Sequence, residues 1–317
     1  MSIELTRRHW LTASAVLGLG LAADALQPAL AKEADRPKGE PFGYCLNTST
    51  IRGQNLPIVE ALEIAARAGY QAVEPWIREL DQYVKDGGSL KDLGRRIEDL
   101  GLSVESAIGF FEWVVDDDAK RKQGLEEACR NLEMVRQIGG KRLAAPPVGA
   151  TDQADLNPQR AAERYRALLE LGDQFEVVPQ VEVWGFSKAL GRLGEAAQVA
   201  IDSGHPRACV LADVYHLYKG GSEVQGLRLL NGSCLHVFHM NDYPDSPPRA
   251  EIKDADRVYP GDGVAPLKPL LRNLRDIGFH GVLSLELFNR DYWAQDPLTV
   301  ARTGLEKMRA VVRDSLA

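Results

Sequence analysis

Between Phe42 and Val312, short apolar runs alternate with longer amphipathic segments, and the pattern repeats eight times. The runs read as strands at Phe42 to Leu46, Ala72 to Pro75, Ser103 to Ile108, Arg142 to Ala145, Val177 to Trp184, Cys209 to Asp213, Leu235 to Met240 and Val282 to Leu287. Helical patterns between them include 57–68, 90–100, 119–138, 158–175 and 297–312. Strand–helix alternation of this kind builds a parallel sheet covered by helices. Proline opens several of the helices, where its missing N–H costs nothing, and Gly69, Gly101, Gly139, Gly204 and Gly278 stand where helices should end. No GxGxxG follows the first strand, which weakens an open dinucleotide-binding sheet. Eight units in a chain of 317 residues predict an α/β fold of the closed (β/α)8 type, a single barrel over 42–317; such barrels take roughly 250 residues. Their chemistry sits on the loops after the strands, and the longest of these, Asp242 to Ala265, follows the seventh strand.

The segment before the barrel reads as an export signal over residues 1–31 and a polar linker over 32–41. Thr6-Arg7-Arg8-His9-Trp10-Leu11 carries paired arginines, an apolar run follows to Leu30, and Ala29-Leu30-Ala31 has the small-x-small form of a cleavage site. Asp24, Gln27 and Pro28 interrupt that run, so no stable membrane anchor is expected. The signal resembles those of the twin-arginine pathway, which implies a folded, cofactor-loaded protein delivered to the periplasm. Export permits disulfides, yet Cys45, Cys129, Cys209 and Cys234 show no CxxC spacing, and free thiols are expected. A net charge of −7 with no long basic run argues against nucleic acid as a partner. A small-molecule ligand is the remaining class, with self-association into a homo-oligomer left open.

Four polar residues stand at the ends of four successive strands: Glu182 in VEVWGF, Asp213 in LADVYHLYKGG, His239 in HVFHMND and Glu286 in LSLELFN. Strand side chains alternate faces, so Glu286 falls with Ser284 and Val282, while Leu283, Leu285 and Leu287 face the helices. The same count puts Glu182 with Gln180 and His239 with Val237. Three carboxylates and an imidazole at one barrel mouth are costly without a counter-charge. One divalent ion answers that cost, and hard oxygen and nitrogen donors suit Mn²⁺, Mg²⁺, Co²⁺ or Zn²⁺. Glu74 and Trp76 end the second strand, and Phe110, Phe111 and Trp113 follow the third, where Glu74 and Trp113 are candidate sugar contacts or, for the aromatics, a lid over the core.

These segments resemble the xylose isomerase-like sugar phosphate isomerase/epimerase superfamily of TIM barrels, which includes D-tagatose 3-epimerase, inosose dehydratase and one type of dehydroshikimate dehydratase. The likeness covers nearly the whole chain after the leader. It implies that Glu182, Asp213, His239 and Glu286 ligate the metal, that Glu182 and Glu286 are also catalytic, and that His216 of the D-x-x-H run contacts substrate. Asp242 closes the H-x-x-D run, and Arg257 opens RVYPGDG, similar to the family's R-x-x-P-G-x-G loop. Both are expected to contact substrate. Glu105 departs from the pattern, since relatives often carry a histidine near there.

The implied activity is isomerisation or epimerisation of a non-phosphorylated keto sugar or cyclitol through a cis-enediolate. The same site could instead expel a β-substituent, making a lyase or dehydratase acting on a keto-glycoside or a dehydroshikimate-like compound, and the FNRDYW stretch after Glu286 somewhat resembles that branch. A non-catalytic sugar-binding barrel is the alternative of another class, but a binder gains little from two opposed metal-bound carboxylates. Changing Arg7 and Arg8 together to Lys is expected to abolish export. Cell fractionation checks this, and undiminished periplasmic yield would reject the twin-arginine assignment.

Overall fold

The computed structural model describes residues 40–317, so the expected leader and nearly all of the linker lie outside the described residues. Eight strands are formed: β1 (Gly43–Asn47), β2 (Ala72–Glu74), β3 (Ser103–Val104), β4 (Arg142–Ala145), β5 (Val178–Glu182), β6 (Val210–Asp213), β7 (Val237–Met240) and β8 (Val282–Leu285). All paired neighbours are parallel, in the order β3-β2-β1-β8-β7-β6-β5-β4. The ring closes between β3 and β4 through a single parallel bridge, Ala107 with Leu143. The (β/α)8 barrel is therefore present, with β3 shorter than the Ser103 to Ile108 run suggested.

Glu105 explains how the thin seam is held. Its carboxylate accepts from Lys141 Nζ at 2.6 Å, from Arg142 Nη1 at 3.2 Å and from Ser103 Oγ at 2.9 Å. Lys141 and Arg142 lie at the start of β4, so Glu105 belongs to the closed end of the barrel, not to its mouth. A partly buried group of this kind holds only because every charge is paired.

The alternation read from sequence is the alternation seen. Cys45, Ala72, Ile108, Ala144, Leu211, Val237 and Val282 pack together inside the barrel. Leu46, Val73, Phe238, Leu283 and Leu285 point outward into a larger core shared with the helices. Each of these large side chains, buried from water, contributes about 1.5–3 kcal/mol before entropy is counted. Helix ends also fall as expected: Gly69 ends the 58–68 helix with φ +98°, a backbone angle that favours glycine. The four cysteines are free. No helix among the described residues is long and apolar enough to cross a membrane.

One glycine positions the loop that reaches from β3 toward the mouth. Gly124 lies inside the Asp118–Gln137 helix, and a Cβ there would sit 2.4 Å from the carbonyl oxygen of Glu112. Ala is ordinarily the better helix former by about 1 kcal/mol. Gly124→Ala should nevertheless lower stability by about 1–3 kcal/mol, because backbone must move to admit the methyl. Denaturant unfolding of the two proteins measures the sign, and a stabilised variant would refute the close packing.

Candidate active site and metal centre

Asn47 ends β1, Glu74 ends β2, Glu182 ends β5, Asp213 ends β6, and Glu286 directly follows β8. His239 lies within β7, paired on one side with Asp213 and on the other with Ser284. Parallel pairing thus brings residues far apart in the chain to one level of the barrel. All of these side chains are buried.

Glu74 is the floor of the site. One of its oxygens, Oε2, accepts from Ser284 Oγ at 2.7 Å and from Asn47 Nδ2 at 2.9 Å, and meets His239 Nε2 at 3.0 Å. A carboxylate can only accept from that ring nitrogen unless it is itself protonated, so His239 directs Nδ1 to the other side. Nδ1 lies 3.3 Å from Glu286 Oε2 and 3.8 Å from Asp213 Oδ2, without a hydrogen bond to either. Carboxylates behind a histidine hold metal-ligating imidazoles in this way. Glu74 was expected to contact substrate; it is fully buried and orients His239 instead.

Asp213, His239 and Glu286 each offer a ligand atom within 4.8 Å of the others. Glu182 is not in that tight group, but its Oε2 is buried with no hydrogen-bond partner, and Glu182 and Glu286 line the same cavity. Arg257 completes the cluster: its Nη1 donates to Glu286 Oε2 at 2.7 Å and to Asp213 Oδ2 at 2.9 Å, and its Nη2 reaches His216 Nε2 at 3.1 Å and the Asp254 carboxylate. Four buried carboxylates, Glu74, Glu182, Asp213 and Glu286, thus face one guanidinium and one imidazole. If all four ionise and the imidazole is neutral, as ligation through Nδ1 requires, the guanidinium leaves an excess of negative charge that a divalent cation offsets in large part. Hard donors, an orphaned Nδ1 and an orphaned carboxylate oxygen all fit such an ion.

The charge deficit also shapes protonation. Burial pushes Glu182 up to about 8; His239 opposes the shift, while Glu286, Glu74 and Asp213 add to it. For Glu286 burial is outweighed by His239 and Arg257, which hold its carboxyl well below the usual range. Burial also works against a charged His239, yet Glu286 and Glu74 prevail and hold its pKa well above the ordinary value. His216 goes the other way, lowered by burial.

A cavity of about 420 Å³ opens above these groups, lined by Glu182, His216, Asp254, Arg257 and Glu286 below and by Arg52, Trp76, Phe110, Trp184, Phe186, Phe288 and Trp293 around it. Glu182, His216, Arg257 and Glu286 are therefore where the sequence reading put them. Besides Glu74, two further expected substrate contacts are not. Trp113 is fully buried, donates Nε1–H to the Pro146 carbonyl at 2.8 Å and packs on Tyr165, so it belongs to the core beneath the loop. Asp242 accepts the backbone N–H groups of Tyr243, Gly261, Gly263 and Ala265, and it pins the long loop that carries Arg257. Of the three aromatics after β3 only Phe110 reaches the cavity, edge-on to Trp76 and Trp184.

Sequence reasoning passed over Asn47 and Asn241. Asn47 bridges Glu74 and Glu286 at 2.9 and 3.2 Å, and Asn241 donates to Asp213 Oδ2 at 2.9 Å. Asn47 ends β1 and Asn241 directly follows β7, but an isolated Asn there has no signature apart from its neighbours in space.

A model of the xylose isomerase-like TIM barrel matches residues 62–311. The chain belongs to that family. It is 29% identical to the inosose isomerase of Bacillus licheniformis over 279 residues, 84% of this chain and 97% of that one. It is 23% identical to the 3-dehydroshikimate dehydratase of Pseudomonas putida over 78% of this chain and 39% of the dehydratase. Among solved structures, the IolI protein with a bound zinc atom superposes with a TM-score of 0.80 at 22% identity, over 86% of this chain and 99% of IolI. The family relatives are sugar and cyclitol enzymes, and the Asp213, His239 and Glu286 group is a candidate metal site on the same scaffold.

Metal ligation at this site needs the Glu182 carboxylate ionised and the Nδ1 lone pair of His239 free, yet the metal-free protein holds protons on both near neutral pH. Binding should therefore release protons, and affinity should rise as pH climbs toward about 8. Calorimetric titration of Zn²⁺ or Mn²⁺ in buffers of different ionisation enthalpy counts the protons. A titration that releases none between pH 6 and 8 would contradict the protonation states assigned to the cluster.

Proposed function

We propose that this chain is a divalent-metal-dependent isomerase or epimerase of a non-phosphorylated keto sugar or cyclitol. The observation that carries the reading is the pair of buried glutamates, Glu182 and Glu286, lining one cavity beside the Asp213–His239 cluster. Asp213, His239, Glu286 and Glu182 would hold the ion. When bound, a divalent cation polarises a ketone and the hydroxyl beside it, acidifying the proton on the carbon between.

The rest falls to the chain's own residues. One glutamate removes the proton from the carbon next to the ketone, leaving a cis-enediolate. The other returns a proton to the opposite face for epimerisation, or to the neighbouring carbon for aldose–ketose exchange. Asn47 and Arg257 hold the two oxygens of Glu286, so that carboxylate keeps one orientation through the cycle. Gly185 N–H donates to His216 Nδ1 at 3.2 Å and fixes a ring that borders the cavity and faces Arg257 through Nε2. Trp184, Phe110 and Trp76 present apolar faces for a sugar or cyclitol ring.

The matches to dehydroshikimate dehydratases bear on the second fate of the same enediolate, loss of a β-substituent. Product analysis separates the two outcomes, while solvent exchange tests their shared first step. Wild-type protein given its substrate in deuterated water should incorporate deuterium at the carbon next to the ketone. Glu286→Gln keeps the size and one oxygen donor but cannot take up the proton, so turnover should fall by roughly 10² or more, and Glu182→Gln should behave alike. Conversion without deuterium at any carbon, and without an isotope effect on substrate deuterated at that position, would exclude proton abstraction.

A further inference from the structure

The outer wall of the cavity is not used by proton transfer. Arg52, on the turn after β1, lies there with its guanidinium carbon 4.9 Å from the ring centre of Trp76, 5.1 Å from Phe288 and 5.3 Å from Trp293. The cage is built, not incidental. Trp293 donates its indole N–H to the Ser49 carbonyl at 3.0 Å, and a Cβ at residue 53 would stand 2.2 Å from Trp293, so Gly53 lets the ring lie on the turn. Among the described residues Arg52 makes no side-chain hydrogen bond and no ion pair, although three rings hold it at the cavity surface.

The charges facing Arg52 do not satisfy it. Arg78 stacks on the same Trp76 at 4.5 Å and adds a second cation. Glu79 is taken up by the Thr48 hydroxyl and the Trp76 amide, while Asp254 and Glu286 are both held by Arg257. Burial, then Arg78, make the Arg52 charge harder to keep. A half-buried guanidinium with open donors in an aromatic cage is completed by an anion.

We propose that Arg52 is the anion-binding residue of the cavity and that the substrate is a keto sugar acid or keto cyclitol acid, its carboxylate on Arg52 and its ketone at Glu182 and Glu286. The spacing agrees: the Phe288 ring touches both Arg52 and Arg257, at 5.1 and 5.0 Å, and Arg257 in turn bonds Glu286. The Phe288 ring therefore borders both the anion site and the proton-transfer end of one cavity. A carboxylate suits the site better than a phosphate, because its single charge needs one guanidinium where a phosphate carries nearly two, and the surrounding wall is aromatic. This substrate class rests on the proton-transfer reading above.

The test uses metal-loaded protein and ligand pairs that differ in one group: D-fructuronate against D-fructose and D-tagaturonate against D-tagatose, with D-fructose 6-phosphate as a third arm. Dissociation constants from calorimetry should favour the carboxylate member of at least one pair by roughly tenfold or more. The preference should shrink to within about twofold in Arg52→Gln and survive in part in Arg52→Lys, whose charge guards against reading a folding defect as lost recognition. Equal or undetectable binding within both pairs, an undiminished preference in Arg52→Gln, or tighter binding of the phosphate would each overturn the proposal. Deuterium exchange on the same ligands keeps the two readings apart. A carboxylate preference without exchange removes the proton-transfer reading and leaves the anion site, whereas exchange of the neutral ketoses with no preference does the reverse.

Discussion

Uncompensated negative charge at the barrel mouth organises this structure. Glu74, Glu182, Asp213 and Glu286 are all removed from water, and such groups are costly unless each finds a proton, a cation or hydrogen-bond donors. The chain answers with all three. Arg257 bridges Asp213 and Glu286, three donors converge on one oxygen of Glu74, and Glu182 retains its proton up to about 8 because burial leaves it no other recourse. A cluster with this unmet demand is suited to a divalent ion, and its shifted protonation agrees with the proton transfer proposed above.

The surrounding fold serves to hold these charges in register. Parallel pairing sets Asp213 beside His239 and His239 beside Ser284, and Ser284 in turn bonds Glu74 across β1. The long loop after β7 would be free to swing were it not gathered onto the Asp242 carboxylate by four backbone N–H groups. That anchoring delivers Arg257 into the cluster. Residues that bind nothing in the cavity, Asp242 and Glu74 among them, thus decide where the cavity's own groups point.

The cavity has two unlike halves. Its floor is charged and is built from strand ends together with His216 after β6 and Arg257 on the loop after β7. Its rim is aromatic and carries Arg52, drawn from the loops after β1, β2, β3, β5 and β8, where barrel enzymes vary from one to another. The proposed chemistry and the proposed selectivity accordingly fall to different parts of the chain.

Much of this was legible in one dimension. A period of two in each apolar run and of 3.6 between runs is a direct consequence of strand and helix geometry, so eight βα units, their inward faces and the positions of Glu182, Asp213, His239 and Glu286 could be read from local pattern. Glycine with positive φ at helix ends is legible for the same reason. What sequence could not supply is which polar groups meet across the barrel. Glu74 and Asp242 looked like substrate contacts because they end strands or close a motif, and Trp113 because it lies in an aromatic run. Two of their partners, His239 and the Pro146 carbonyl, come from other units of the fold, and the third, the 261–265 backbone, from the distant end of Asp242's own loop. Asn47 and Arg52 had no local signature at all. Side-chain facing follows from backbone periodicity and is fixed by sequence, whereas partnership depends on barrel closure and loop anchoring, which only the tertiary structure decides.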